Sequence, residues 1–545
     1  MSKLFKILTA AFLLTAAFSC GEKLPPVDEN PGNTDQPVDS LPPVDTLPPA
    51  DTLPPKDTIP ENIEPAFERF HKEVKYPTTN VGWTASFALL LPQSYETDME
   101  KRYPVVYMLH GYGDSGRDWS EWVEAIKAIE DSGLQEMIYV FPNCGNSYYS
   151  NYYNDSSRRY MDLVTEDLVP YIDANYRTIA DREHRAVMGY SMGGFGAMVL
   201  PLKNPEIFSI SIPLSMSFRT DEQYMAESQS GWDNQWGKIF GGRGQSGEGR
   251  LTDYYKEHCP FYQFVPENHA TLSTVKWFFH CGDNEEQLLI ANDNLHVQMR
   301  DYGFDHEFRI GDGGHSGSYW RPAAKETLPW VEHVMKGGGK WTKTKEVSLK
   351  SSTLNEDGSF SSTKFKDNPQ DGGLAVYFAH KGYSDDLMGK AIGLLSQSGQ
   401  IFPYMILPCD LNVKSLADWM AEYTEKYGIG GNPAQSHVIA FGEAGREAYE
   451  LKDQFSAYYF VDADLAEDES TIVADANKRY YIDQTDDSAN YRDMNAMYRA
   501  CKFALTEDGG TDEADFEYRM RNGIDDKEQE MLLAVESLAT CFKYK

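Results

Sequence analysis

Five residues constrain this chain more than any others: Gly189-Tyr190-Ser191-Met192-Gly193. They lie between His184-Arg-Ala-Val-Met-Gly189, which reads as a buried strand, and a Gly/Ala-rich run that reads as the start of a helix. A serine held between glycines at a strand-to-helix junction requires a sharp, strained turn. The flanking glycines leave room for that turn and lift the serine hydroxyl off the sheet. Gly194 and Gly196 then allow the helix to lie close against the strands. A chain with this junction is expected to build a layered sheet with helices packed on it.

The neighbouring sequence agrees. Phe87–Pro92, Tyr103–His110, Met137–Pro142, Val275–His280 and His306–Ile310 read as strands. The run Tyr103–His110 has the continuous apolar character of a strand buried on both faces. Asp162–Tyr176 and the stretch from Ala324 to Met335 have helical spacing. Strands alternating with helices predict an α/β fold with a mostly parallel sheet over residues 63–338. Lys336-Gly-Gly-Gly-Lys340 reads as a linker. A second α/β domain is expected over 345–545, with strands at Leu374–Phe378, Phe402–Leu407, His437–Phe441 and Ala457–Val461 and helices at Asp385–Leu395 and Ser415–Tyr427.

The N-terminal end has a different composition. Lys3 and Lys6 precede an apolar run from Ile7 to Phe18 that is too short to span a bilayer comfortably, and Ala17-Phe18-Ser19-Cys20 follows. The pattern resembles a bacterial lipoprotein signal, which implies a signal peptide over 1–19, lipidation of Cys20 and a place in the cell envelope. Residues 20–62 repeat Leu-Pro-Pro-x-Asp-Thr from Leu41 to Thr58. Proline favours extended polyproline geometry, so at ~3.1 Å per residue this tether would reach on the order of 100 Å. The formal net charge of -34 argues against nucleic acid as a partner. Six cysteines remain besides Cys20, without zinc-like spacing, so no metal site is expected and their pairing stays open.

A strained serine at such a turn suits a nucleophile, and a nucleophile needs a base and an acid. His315, in Gly311-Asp-Gly-Gly-His-Ser-Gly317, sits on a glycine-rich loop just after a strand and is the candidate base. His306 falls within a strand and His296 on a helix. The loop Cys281-Gly-Asp-Asn-Glu-Glu286 offers Asp283, Glu285 and Glu286 as the acid. The backbone N–H groups of Met192 and Tyr112, the latter on the turn after the His110 strand, are candidate donors for an oxyanion.

Taken together, Pro104–Gly111, Arg185–Gly194 and Gly313-Gly314-His315 resemble the esterase D / feruloyl esterase group, which includes the carbohydrate esterases of family one. The likeness covers roughly residues 85–338. It implies the α/β-hydrolase fold and ester hydrolysis through an acyl-enzyme without metal or organic cofactor. Where the group commonly has Gly-x-x-Asp, this chain has Gly282-Asp-Asn-Glu285. That register selects Glu285 as the acid and leaves Asp283 as the alternative. The implied substrates are feruloyl or acetyl esters of plant polysaccharide. Trp232, Trp236, Trp320 and Tyr149 are candidates for stacking on a sugar or feruloyl ring, although such residues equally often serve as packing. Other readings are a hydrolase of small thioesters or lactones, and a non-catalytic glycan-binding lipoprotein.

The second domain carries an echo of the first. His437–Gly445 is similar to Arg185–Gly194 in a register that sets Ala444 where Ser191 stands, and Phe516–Asp525 aligns with His306–His315, so that Asp525 replaces the histidine. These matches predict a degenerate hydrolase-like repeat without nucleophile or base.

Overall fold

The structure is a computed structural model describing residues 68–114, 119–341, 347–349, 352–367, 373–397, 403–507 and 516–541. The expected signal segment, Cys20 and the expected tether lie outside the described residues. Among the described residues, no helix is long and apolar enough to cross a membrane.

The first eight strands are β1 (Phe70–Tyr76), β2 (Ala85–Leu90), β3 (Val105–Leu109), β4 (Ile138–Pro142), β5 (Arg185–Tyr190), β6 (Ile210–Leu214), β7 (Lys276–Gly282) and β8 (Glu307–Gly311). They lie in the order β1-β2-β4-β3-β5-β6-β7-β8. Pairing is antiparallel from β1 to β4 and parallel from β4 to β8. This is a mostly parallel α/β-hydrolase sheet. Every residue of β3 and β4 is buried, as expected of strands covered on both faces.

Strand β6 escapes a reading by pattern, because Ser211 and Pro213 interrupt its apolar run. The sheet accommodates both. Ser211 Oγ donates to the carbonyl of Ala197 at 2.7 Å, and the β6–β7 register skips from Ser211 to Leu214, past the proline that has no N–H to give. The helix expected from Asp162 to Tyr176 also differs in detail. Its turn Leu163–Leu168 is widened to π geometry just before Pro170, the residue whose missing N–H breaks the regular ladder.

Helices cover both faces. Ser120–Glu130 buries Trp122, Val123, Ile126 and Ile129, one stripe at three-to-four spacing, and packs beside the helix Gly317–Met335. An eleven-residue helix is marginal alone in water. Burial of each large apolar side chain contributes about 1.5–3 kcal/mol, so packing decides that this helix forms. The helix Met192–Lys203 is buried almost all round on the opposite face.

The remaining strands are β9 (Phe360–Ser361), β10 (Leu374–His380), β11 (Tyr404–Asp410), β12 (Ser436–Phe441), β13 (Ala457–Val461), β14 (Arg479–Thr485) and β15 (Phe516–Arg521). They extend the same sheet past β8 in the order β15-β14-β13-β12-β10-β11-β9. Read outward from the middle, β15-β14-β13-β12-β10-β11 repeats β8-β7-β6-β5-β3-β4. The two halves meet antiparallel at Ile310 and Met520. Matching turns repeat as well. Ser191 N–H donates to Leu214 O and Gly442 N–H to Val461 O, both at 3.0 Å. Ser191 O accepts from Ser217 N–H and Gly442 O from Asp464 N–H. Ser215 and Asp462 share a positive φ, 47° and 45°. These bonds set Gly442, with φ of 51°, at the place of Ser191. The glycine-for-glycine register that favoured Ala444 is therefore two residues off, because Gly442 corresponds to the turn residue itself. Ala444 instead opens the following helix, Ala444–Glu450. At the ends of β8 and β15, Asp283 N–H donates to Gly311 O and Asp486 N–H to Arg521 O, so Asp525 stands at the place of His315.

Candidate active site

Ser191 is the single residue between β5 and the helix Met192–Lys203, with φ of 57° and ψ of -118°. Few side-chain-bearing residues tolerate that backbone, which costs on the order of 1–3 kcal/mol and persists only where its surroundings enforce it. Here they do. A Cβ on Gly189 would lie 2.3 Å from Gly193 O, and one on Gly193 would lie 2.2 Å from Leu109 O. Only glycine at both places lets strand, turn and helix approach this closely.

The turn aims Ser191 Oγ at His315, whose Nε2 lies 2.8 Å away. His315 Nδ1 is 2.7 Å from Glu285 Oε2. His315 is supplied by the loop after β8 and Glu285 by the loop after β7, so both loops open at the carboxyl edge of the sheet beside the serine. The Glu285 side chain has no solvent exposure, while that of His315 is 39% exposed. Glu285 Oε1 accepts from Ser215 Oγ and from Gly282 N–H. Each carboxylate oxygen therefore has its own donors, which holds the acid in one orientation. Of the three acidic candidates, the structure brings Glu285 to the histidine. Asp283 turns away, accepting from Gly313 N–H at 3.1 Å through one oxygen and from Arg519 through the other.

Met192 is the first residue of its helix, where backbone N–H groups have no partner within the helix and the dipole favours negative charge. Tyr112 lies on the turn after β3, 44% exposed. Three hydrogen bonds that sequence reasoning missed shape that turn. Gly113 N–H donates to Asn146 Oδ1 at 2.7 Å. His110, whose pKa burial lowers, stays neutral, so its Nε2 accepts from Cys144 N–H while its Nδ1 donates to Gly111 O.

The aromatic candidates for ring stacking are placed otherwise. Trp232 and Tyr149 have no exposed surface and Trp236 has 1%. Trp232 Nε1 donates to Gly242 O, Trp236 packs on Tyr148 with ring centroids 4.3 Å apart, and Tyr149 fills the space over Gly196. All three belong to the core. Trp320 stacks on Tyr190 at 4.5 Å, meets the His315 ring edge-on at 4.9 Å and donates from Nε1 to Ser215 Oγ at 2.6 Å. It braces the row rather than offering a face to a ligand. Ser215, which connects Trp320 to Glu285, was not singled out from sequence. It carries no motif, and its part depends on β6 ending beside β7.

A serine hydroxyl bonded to an imidazole, itself bonded to a buried carboxylate, is an arrangement able to generate an alkoxide-like nucleophile and to shuttle its proton.

Comparison with known proteins points the same way. Residues 78–331, just under half of the chain, match the family described as putative esterase. Esterase MT1326 of Mycobacterium tuberculosis is 34% identical over 127 residues, which is 23% of this chain and 27% of that protein. An endo-1,4-beta-xylanase/feruloyl esterase of Xylanibacter ruminicola is 27% identical over 146 residues, 25% of this chain and 20% of that protein. The chain thus spans about a quarter of the length of these curated relatives. A solved ferulic acid esterase is similar at 28% identity with a TM-score of 0.41, covering 48% of this chain and 97% of that one. By the family match and the sheet order, the segment 78–331 is similar to the esterase family.

Proposed function

We propose that this protein is a serine carboxylic-ester hydrolase acting on feruloyl or acetyl esters of plant polysaccharide. The observation that carries the reading is the hydrogen-bonded row Ser191–His315–Glu285 beginning at a residue with φ of 57°. Ser191 Oγ attacks the acyl carbon as His315 Nε2 takes its proton. The N–H groups of Met192 and Tyr112 hold the oxyanion. Collapse of the tetrahedral intermediate breaks the ester C–O bond, and His315 returns the proton to the leaving sugar oxygen, which departs as a hydroxyl. Water then attacks the acyl-enzyme with His315 again as base, releasing the acid and restoring Ser191. Glu285 stabilises the imidazolium in both halves without itself taking the proton.

The substrate class rests on the Xylanibacter ruminicola relative, whose name couples xylanase with feruloyl esterase, and on the match of residues 78–331 to an esterase family. The test is release of ferulate and acetate from xylan-derived oligosaccharides, with Ser191→Ala in parallel. Release that disappears in the variant supports the reading. Release that persists in Ser191→Ala refutes the mechanism, and turnover confined to small thioesters or lactones refutes the substrate.

A further inference from the structure

The two halves of the sheet meet across a local two-fold axis at Ile310 and Met520, and the charged residues beside it repeat. From β8, Arg309 crosses to the carboxylate of Asp486 at 2.5 Å. From β15, Arg519 crosses to the carboxylate of Asp283. The far oxygen of each carboxylate takes a matching loop amide, with Asp486 Oδ1 accepting Gly523 N–H at 3.0 Å and Asp283 Oδ1 accepting Gly313 N–H at 3.1 Å. The symmetry ends with what those loops carry. In the C-terminal half the loop leads to Asp525, with Gly442 where a nucleophile would stand. In the N-terminal half it leads to His315.

Asp283 lies two residues before Glu285, and Gly313 two residues before His315. One carboxylate therefore ties the loop of the acid to the loop of the base. The tie is needed because the His315 loop is intrinsically pliant: Gly313 has φ of 147° and Gly314 follows it. Asp283 is 2% exposed, so its charge must be matched within the protein. Arg519 supplies the match. Its guanidinium lies among Asp283, Glu517 and, at 3.8 Å, Asp312.

We propose that Arg519 is a positioning residue for ester hydrolysis. By holding Asp283, it sets the separation of Glu285 and His315, so the C-terminal half is required for turnover although it contributes no group to the reacting atoms. The proposal rests on the hydrolase reading above.

The test compares Arg519→Met, Arg519→Lys and the mirror-related Arg309→Met in the full chain. The readouts are kcat and KM on 4-nitrophenyl acetate, melting temperature, and amide hydrogen exchange over residues 311–317. For Arg519→Met, kcat should fall on the order of 100-fold with KM changed less than about threefold, because loss of geometry in a triad acts on the transition state. Exchange at Gly313–Ser316 should quicken. Arg519→Lys, which keeps the charge, should recover about tenfold of the loss. Arg309→Met removes an equivalent pair from the seam and should lower the melting temperature similarly, with kcat within about threefold of the unmodified protein. Equal kcat losses in the two methionine variants would overturn the proposal, as would unchanged kcat and exchange in Arg519→Met. If Arg519→Met does not fold, Arg519→Lys decides: an intermediate fall in kcat at constant KM supports the proposal, and no fall overturns it. If the unmodified protein hydrolyses no ester, the hydrolase reading fails, while exchange over 313–316 still decides whether Arg519 holds the loop.

Discussion

Replacing Glu285 by glutamine should lower kcat by about 10⁴-fold, and the hydrogen bonds around it say why. Oε1 receives two donors, Ser215 Oγ and Gly282 N–H. The Ser215 proton is committed to that bond because Trp320 Nε1 already donates into Ser215 Oγ. The oxygen of a glutamine amide must therefore take the Oε1 place, and its NH₂ must face His315 Nδ1. Nδ1 then has to accept, which moves the ring proton to Nε2, the atom 2.8 Å from Ser191 Oγ. A protonated Nε2 cannot take the serine proton. The loss corresponds to roughly 5.5 kcal/mol of barrier, with the side chain still packed and the fold intact. The assay is steady-state hydrolysis of a soluble feruloyl or acetyl ester, with the melting temperature measured alongside. Asp283→Asn serves as the comparison and should cost at most about 10²-fold, since it acts through loop position. Retention of kcat within tenfold in Glu285→Gln would refute the tautomer argument. A larger loss in Asp283→Asn than in Glu285→Gln would show the acid to be the other carboxylate.

Two further outcomes follow from groups held at a cost. Ser191→Gly should be inactive yet more stable by about 1 kcal/mol, since glycine accepts the backbone at φ of 57° and ψ of -118° without strain; a thermal or chemical denaturation midpoint at or below that of the unmodified protein would contradict it. Asp293, buried between two helices beside Asn495 at 2.6 Å and Tyr518, has its carboxyl pushed up to about 7 by desolvation. The folded state therefore holds a proton that the unfolded state has already released. This contribution to stability is complete below the ordinary carboxylate range and is lost as pH rises through about 7. Asp293→Asn keeps the neutral form, so its melting temperature should fall less between pH 5.5 and 8.5 than that of the unmodified protein, by on the order of a few degrees; equal slopes would sink the argument.

The elbow was legible because its requirements are local: two glycines, a serine between them, a strand before and a helix after. His315 was legible for the same reason, as a histidine on a glycine-rich loop behind a strand. The acid was only half legible, since Asp283 and Glu285 share one loop and differ in which way each side chain turns. That choice is made by Gly313 N–H and Arg519 on one side and Ser215 on the other, partners far away in the chain. The aromatic residues misled because tryptophan and tyrosine suit a core as well as a sugar. Trp232, Trp236 and Tyr149 are enclosed by elements whose mutual placement no local pattern encodes. The repeat was visible as similarity, yet its register at Gly442 emerges only from the bonds that adjoining strands make to the turn. That β10–β15 would extend the first sheet had no local signal at all.

The join between β8 and β15 has a consequence for how the chain avoids misassembly. A parallel sheet that stopped at β8 would present a bare edge, the kind of surface on which a foreign strand can dock. Here β15 closes it, and it does so with one main-chain pairing and two arginine–aspartate contacts related by the local axis. A slip of one residue would send each arginine to the wrong face of the sheet and strand four buried charges. The seam therefore acts as a keyed lock: it admits one alignment and rejects its neighbours.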